Sequence, residues 1–203
     1  MSKRVKVKDR EPGMPDRFDR YKTQKNFGVI TFNMSDRVEL YGKLGVMQLT
    51  LAATANDFVR LKAQAQNTFT WGVGGRVVLI YWKEVVMGVN AWYQHAKPGV
   101  SHFSQNGEAI SPKRAYVDYD EWQVSIGFSR IIGMFCPYAG LAYAALFSSL
   151  CQSEWFPPIK IKNRQPFILL LGVGVTAEKA VAFNVESRLI GEKAITVTGQ
   201  LRF

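Results

Sequence analysis

Two charged side chains near the end of the chain share one face of a predicted strand. Glu186 and Arg188 lie two residues apart within an alternating segment, 181–190, and alternate side chains of a strand project to the same face. Two charges on the buried face of a soluble core would be costly in free energy, whereas the wet or ion-paired interior of a membrane barrel accommodates them. The pattern favours a polar interior and an apolar face against lipid or a partner. An ordinary sheet with its polar side in solvent has the same period.

The same alternation places further polar residues on this predicted inner wall. If the barrel conducts, arginines on the wall would favour anions, as charged rings do in other pores. A static network of salt bridges that plugs the interior is the alternative, because side chains nearly fill a barrel of about eight to ten strands. The predicted pore-lining residues are Glu39, Lys43, Arg76, Asn184, Glu186, Arg188, Gln200 and Arg202.

No residues have the types and spacing of a catalytic, cofactor or metal site. His95 and His102 are predicted to lie in a loop or at a rim, and no carboxylate stands at a spacing that would orient either of them as a base or ligand. Gly72, Gly74 and Gly75 lie inside a predicted strand with no helix after them, unlike a phosphate-binding loop. The sequence therefore predicts no enzyme, no cofactor and no metal.

The elements that position these residues are predicted to be strands. The chain has 203 residues, enough for one barrel or sandwich domain, and no apolar run approaches the roughly eighteen residues of a membrane helix. A transmembrane β-strand needs only about 9–11 residues that alternate apolar with polar, so a mean hydropathy of −0.07 is compatible with membrane insertion. Cys136 and Cys151 are too few for a disulfide framework and allow at most one bridge between them.

Basic residues are concentrated at the start of the chain. The formal net charge is +10, and the excess lies between Lys3 and Lys25. We predict a disordered basic tail at 1–26 and a barrel at 27–203, with no nucleic-acid partner because the body is only mildly basic. No apolar stretch follows the basic start, so no signal peptide is visible, which argues against export.

From residue 27 onward, alternating segments are separated by turns. About nine strands can be counted, and single-chain bacterial barrels have even numbers, so the fold class predicted is an all-β, antiparallel transmembrane β-barrel of about 8–10 strands. Residues 17–21 of the basic tail are a candidate for a short tenth strand. Longer connections are predicted at 97–117 and 148–166, and the segment 52–66 is predicted to be an outward loop, with a short helix as the alternative.

The last strand alternates without a break to the end of the chain. Val197, Leu201 and Phe203 share one face, which we predict to face lipid. This ending resembles the assembly signal of bacterial outer-membrane β-barrel proteins, which close on a last strand with a C-terminal Phe. The resemblance implies an outer-membrane location and recognition by the barrel-assembly machinery.

Several further segments resemble one family, the chlamydial major outer membrane protein, in that family's order. They are DRVELYGKLG at 36–45, TWGVGGR at 70–76, YQHAKP at 93–98, DYDEWQ at 118–123, MFCPYAG at 134–140, VESRLIGEKA at 185–194 and GQLRF at 199–203.

This resemblance implies a porin of the outer membrane, often trimeric, in contact with membrane lipid. Such a protein passes small solutes and contributes to envelope structure. The chain is much shorter than the family pattern and has two cysteines where the family has many. Two other functions stay open: a structural or adhesin-like surface barrel with a closed lumen, and a soluble β-barrel or sandwich that binds a hydrophobic ligand.

Overall fold

Fifteen strands and no helix make up the described part of the chain. The computed structural model describes residues 2–3, 5–7, 17–55, 59–110, 115–151, 159–177 and 181–201. The strands are β1 (Ser2–Lys3), β2 (Val5–Val7), β3 (Arg17–Ser35), β4 (Val38–Ala55), β5 (Val59–Ala65), β6 (Thr68–Trp82), β7 (Val85–Ala96), β8 (Val100–Gln105), β9 (Glu108–Ile110), β10 (Tyr116–Arg130), β11 (Phe135–Cys151), β12 (Ile159–Asn163), β13 (Phe167–Ala177), β14 (Val181–Leu189) and β15 (Glu192–Leu201). Among these residues, none belongs to a helix long and apolar enough to cross a membrane.

Ten of the strands close into an antiparallel barrel. Their order around the wall is β3, β4, β6, β7, β10, β11, β13, β14, β15 and β1, and β1 pairs back onto β3. This closure confirms the predicted all-β barrel and the upper end of the predicted strand number. β1, which joins β15 to β3, is only two residues long.

The two ends of the barrel differ in their connections. At one end, which we call the turn rim, strands are joined through the short segments 36–37, 83–84 and 131–134, and β15 ends beside the start of β14. Lys83 and Gly133 take positive φ angles of 54° and 58° in two of these turns. The opposite end, where β3, β6, β10 and β13 begin, we call the loop rim.

Additional strands extend the wall at the loop rim. β5, β8 and β9 add in turn to the far end of β4, and β12 and β2 bridge β11 to β3. The predicted connections 52–66, 97–117 and 148–166 were therefore wrong in part, since each contains strand residues. Their short strands lack a long alternating run, which is the only strand signal that a single sequence offers.

The segment 1–26 differs from the predicted tail wherever it is described. β1, β2 and the first part of β3 lie within it, and β3 begins at Arg17 rather than after residue 26. Tyr21 and Thr23 are buried. Lys3 and Lys25 also face the interior, so charged residues interrupt the apolar alternation by which a strand is recognised in a sequence.

An apolar cluster fills the interior near the loop rim. Tyr21, Met47, Tyr119 and Leu146 come from four different wall strands and are almost fully buried together, and Val5 of β2 joins them. Toward the turn rim, inward polar side chains such as Gln94, Gln123 and Ser125 lie beside a smaller buried apolar cluster of Ala142, Ala144, Ile168 and Leu170. The interior therefore changes from apolar and packed at one end to polar and more open at the other.

Candidate functional site

The outer face of the barrel carries an aromatic row near the loop rim. Trp71 and Tyr93 have ring centroids 5.8 Å apart, and Trp122, Tyr143 and Phe167 continue the row with successive separations of 5.5 Å. These residues lie on five neighbouring strands. Aromatic side chains at one level around a barrel mark a boundary between apolar and aqueous surroundings.

A second set of exposed aromatic residues lies near the turn rim. Phe32, Tyr81 and Trp82 are exposed there, and the Tyr81 hydroxyl donates to the backbone oxygen of Asp36 at 3.2 Å. Trp71 and Tyr81 are ten residues apart on β6, a length of about 33 Å at the usual strand rise and about 25 Å across the barrel at a tilt of about 40°. That height equals the apolar band of outer-membrane barrels.

One group of predicted wall residues lies on β4 and β6. Arg76 Nη1 and Glu39 Oε2 form an ion pair at 3.3 Å, and both side chains are partly exposed. Lys43 Nζ lies 4.9 Å from the ring centroids of both Tyr41 and Trp92. Within the described residues Lys43 makes no ion pair, so it supplies the uncompensated positive charge of this part of the wall.

A second group lies on β11 and β14. Glu186 accepts a hydrogen bond from Arg188 Nε at 2.9 Å and another from the Tyr138 hydroxyl at 2.9 Å. Asn184 Nδ2 donates to the Tyr138 oxygen at 3.1 Å. Arg188 Nη1 also lies 3.6 Å from Glu192 Oε1. These side chains are mutually compensated, which is the arrangement expected of a static wall.

The other predicted site residues are placed as follows. Gln200 pairs with Ala182 in the ladder between β15 and β14. Arg202 lies outside the described residues. Of the predicted assembly signal, Val197 is exposed on the outer face, Leu201 pairs with Val181, and Phe203 lies outside the described residues.

The most deeply buried charges were not predicted from the sequence. Glu121 is 0% exposed, and it contacts Lys3 Nζ, Lys25 Nζ at 2.8 Å and the Tyr119 hydroxyl. Lys3 Nζ also lies 3.6 Å from Glu192. Together with Arg188 and Glu186, these residues form a cluster of three cations and three carboxylates, which we call the charge cluster.

Two strand pairs on the inner wall seat a tyrosine over a glycine. Tyr41 lies directly opposite Gly74 and Tyr138 opposite Gly172, each on neighbouring strands. A Cβ at Gly74 or Gly172 would come within 2.5 Å or 2.3 Å of the tyrosine ring. The missing side chain is therefore what lets each ring lie flat against the wall and direct its hydroxyl to Asn90 or Glu186.

The sequence of this chain is similar to those of several known proteins. The major outer membrane porin of Chlamydia trachomatis serovar A is 23% identical over 74% of this chain and 55% of the porin. The major outer membrane porin of Chlamydia muridarum is 24% identical over 66% of this chain and 52% of the porin, and that of Chlamydia pneumoniae is 24% identical over 93% and 67%. The chain is a distant relative of the chlamydial major outer membrane porins.

The relationship covers only part of those porins. The chain spans about half the length of the curated relatives it matches first, and no family model matches it. The relationship and the closed barrel are consistent with a location in an outer membrane. They also imply association with membrane and lipid.

The two cysteines of this chain cannot pair with each other. Cys136 and Cys151 are both free, and they lie at opposite ends of β11. At the rise of a strand their Cα atoms are about 50 Å apart, whereas a disulfide needs less than about 7 Å. The bridge that the sequence alone left possible is excluded, because both cysteines lie on one continuous strand and not on segments that a loop brings together.

A group of polar side chains lies on the outer face of this barrel, just beyond the aromatic row. His95 Nδ1 is 2.8 Å from Asp120 Oδ1, which also accepts a hydrogen bond from the Tyr93 hydroxyl. His95, Asp118 and Asp120 offer three ligand atoms within 4.8 Å of one another. This partner of His95 could not be predicted from the sequence, because Asp120 reaches His95 only through the register of β7 and β10.

We expect Gly172→Ala to destabilise the barrel by about 1–3 kcal/mol, because the added methyl group overlaps the ring of Tyr138. The displaced ring would also lose its hydrogen bond to Glu186. Urea unfolding in detergent micelles, followed by heat-modifiable gel mobility, measures the loss. Gly42→Ala is the matched control, since a Cβ there meets no atom within 4 Å. Equal midpoints for the two variants would contradict the seating of Tyr138 on Gly172.

Proposed function

We propose that this chain forms the barrel of an outer-membrane porin through which small solutes diffuse passively. The observation that carries the proposal is the division between the two faces of one wall. Exposed apolar residues cover the outside between two aromatic levels about 25 Å apart, and hydrogen-bonded charges line the inside toward the turn rim. The names of its relatives support the same function. The two-faced wall and these names together favour a channel or structural protein over an enzyme.

The route for solutes would enter at the turn rim and narrow toward the loop rim. Arg76 and Glu39 are partly exposed near the open end, whereas Glu121 and the apolar cluster around Tyr21 and Met47 occupy the interior beyond them. Side chains nearly fill barrels of this size. The proposed pore is therefore narrow. Its constriction lies at the charge cluster and at the apolar cluster between the charge cluster and the loop rim.

The apolar cluster favours one second candidate, a structural barrel whose lumen is closed. In that function the exposed strands of the loop rim would carry any interaction, and the barrel would contribute to envelope structure. Single-channel recording in planar bilayers separates the two candidates. Discrete conductance steps from folded protein support the porin, and their complete absence over a wide range of salt concentrations would overturn it. A barrel that stays monodisperse without detergent would contradict membrane insertion in either form.

The proposed partners follow from the same function. Outer-membrane lipid would contact the apolar belt between the aromatic levels. The barrel-assembly machinery would recognise the end of the chain through Val197, Leu201 and Phe203. Several copies would associate as a homo-oligomer, a trimer in the arrangement that the family resemblance implies.

We expect Lys43→Gln to reduce the preference of the pore for anions by about two- to fivefold. One wall charge about 4–8 Å from a passing ion contributes roughly 0.5–1 kcal/mol in water, and Lys43 is not compensated by a carboxylate. The reversal potential in a salt gradient measures the change. Lys83→Gln removes a charge from an exposed turn and serves as the control. An identical reversal potential in the two variants would exclude Lys43 from the conduction path.

A further inference from the structure

A long opening interrupts the hydrogen-bonded wall between β3 and β15. Residues 23–35 of β3 pair with β4, and residues 194–201 of β15 pair with β14. On its other edge, neither run pairs with any strand in the described part of the chain. Only the two residues of β1 span the gap, at the end nearest the loop rim. We call this opening the seam.

Side chains along the seam are unusually exposed. Ile195 and Val197 on β15 are 78% and 71% exposed, the two highest values among the large hydrophobic side chains described. On β3, every residue from 28 to 35 is exposed, whichever face it occupies. Exposure on both faces is a property of a strand that lacks a neighbour, because a paired strand of a barrel is shielded at least on its inner side.

β1 closes the barrel at the loop rim only, and the unpaired edges along the rest of the seam would be costly in the membrane in which the proposed function places the barrel. Unpaired backbone N–H and C=O groups cost several kcal/mol each in hydrocarbon, and for that reason transmembrane barrels have no free edges. The seam runs along the height of the apolar belt, since residues 23–35 end beside the aromatic residues of the turn rim. Something with backbone donors and acceptors must occupy it.

The directions of the strands define the occupant. Nine long strands lead from β3 to β15, each antiparallel to the one before, so β3 and β15 run in the same direction. One strand antiparallel to both would complete two antiparallel ladders. β1 already has this direction and these partners: Ser2 pairs with Lys22 and Lys193, and Lys3 pairs with Tyr21 and Glu192.

We propose that the seam binds one further β-strand of the same polypeptide, which runs from the turn rim into β1 and continues its register. This inference rests on the proposed insertion in a membrane. About ten residues preceding β1 in a longer form of the chain would pair with β3 on one side and β15 on the other.

The side chains of this strand are specified by β1. Lys3 is buried in the charge cluster, and Ser2 is exposed. Positions in phase with Lys3 must therefore be polar and face the interior, and positions in phase with Ser2 must be apolar and face lipid. Val and Thr in alternation satisfy both requirements and have high strand propensity.

The test is an N-terminal fusion of ten alternating Val and Thr residues before Met1, with the Val residues in phase with Ser2. The control carries the same segment with one extra residue before Met1, which exchanges its two faces. Hydrogen exchange of the backbone amides at 23–35 and 194–201 is measured in detergent micelles and in bilayers. We expect the in-phase fusion to slow exchange at both edges by about tenfold or more, and the shifted fusion to slow it far less.

Three results would overturn the proposal. The first is unchanged exchange in the in-phase fusion. The second is amide exchange in the unmodified chain that is already as slow as in the in-phase fusion, which would mean that the seam closes without a further strand. The third is equal protection by the same ten residues added as a free peptide at equimolar concentration, which would assign the seam to a separate molecule. Quenching of Trp71 and Trp122 fluorescence by brominated lipid reports membrane insertion independently, so failure of the proposed function is distinguishable from failure at the seam.

Discussion

We expect Glu121→Gln to lower the free energy of unfolding by about 3–5 kcal/mol, the cost of removing one partner from a buried ion pair. The substitution keeps the shape of the side chain but removes its charge, so Lys25 loses its ion pair with Glu121 while Lys3 retains only the more distant carboxylate of Glu192 at 3.6 Å. Urea unfolding in detergent micelles, followed by the gel mobility of the unheated protein, measures the change.

Two further variants make this result specific. Glu84→Gln breaks the exposed pair with Arg130 at 3.0 Å, and exposed pairs contribute only about 0.2–1 kcal/mol. Adding Lys25→Met to Glu121→Gln removes the cation that lost its carboxylate partner. We expect the double variant to recover part of the lost free energy of unfolding. If Glu121→Gln costs no more than Glu84→Gln, the charge cluster is hydrated and contributes little to stability.

We expect replacement of residues 2–7 by a Gly-Ser segment of equal length to increase single-channel conductance roughly twofold or more, because side chains nearly fill the interior of a barrel this size. Lys3 and Val5 are both almost fully buried inside it, at the level of the constriction. The replacement also leaves two cations against three carboxylates in the charge cluster. The current should therefore become larger and shift in preference toward cations.

The matched control for this replacement is Ser2→Gly, which changes an exposed position of the same segment. Single-channel recordings in planar bilayers give conductance, and reversal potentials in a salt gradient give ion preference. An increase in conductance without a change in preference would contradict the position of Lys3 on the conduction path. Unchanged conductance would place the constriction among the wall strands themselves.

The barrel itself could be predicted from the sequence because its signal is local. On β14, Phe183 and Val185 are exposed outside while Asn184 and Glu186 face the interior, as the alternation alone indicates. A period of two along one strand needs no knowledge of the neighbouring strands. The same property explains why the strands at the loop rim were missed, since β9 and β12 have only three and five residues.

The buried charges could not be predicted because they depend on register between distant strands. Lys3 and Glu121 are 118 residues apart, and Lys25 and Glu121 are 96 apart. Read alone, Lys3 and Lys25 belong to a basic tail, and nothing in their own segment identifies a carboxylate partner. One local signal was available: Glu121 is in phase with Tyr119 and Gln123 along β10, and all three are buried. It placed Glu121 on the inner face but not against its partners.

The two ends of β11 each carry a thiol, which makes the chain its own reporter of orientation. Cys136 lies at the turn rim and Cys151 at the loop rim, and neither is bonded to the other. In sealed vesicles, a maleimide that does not cross the bilayer would modify only the cysteine that faces outward. Single replacements, Cys136→Ser and Cys151→Ser, would then tell which rim faces which compartment without introducing a new cysteine into the wall.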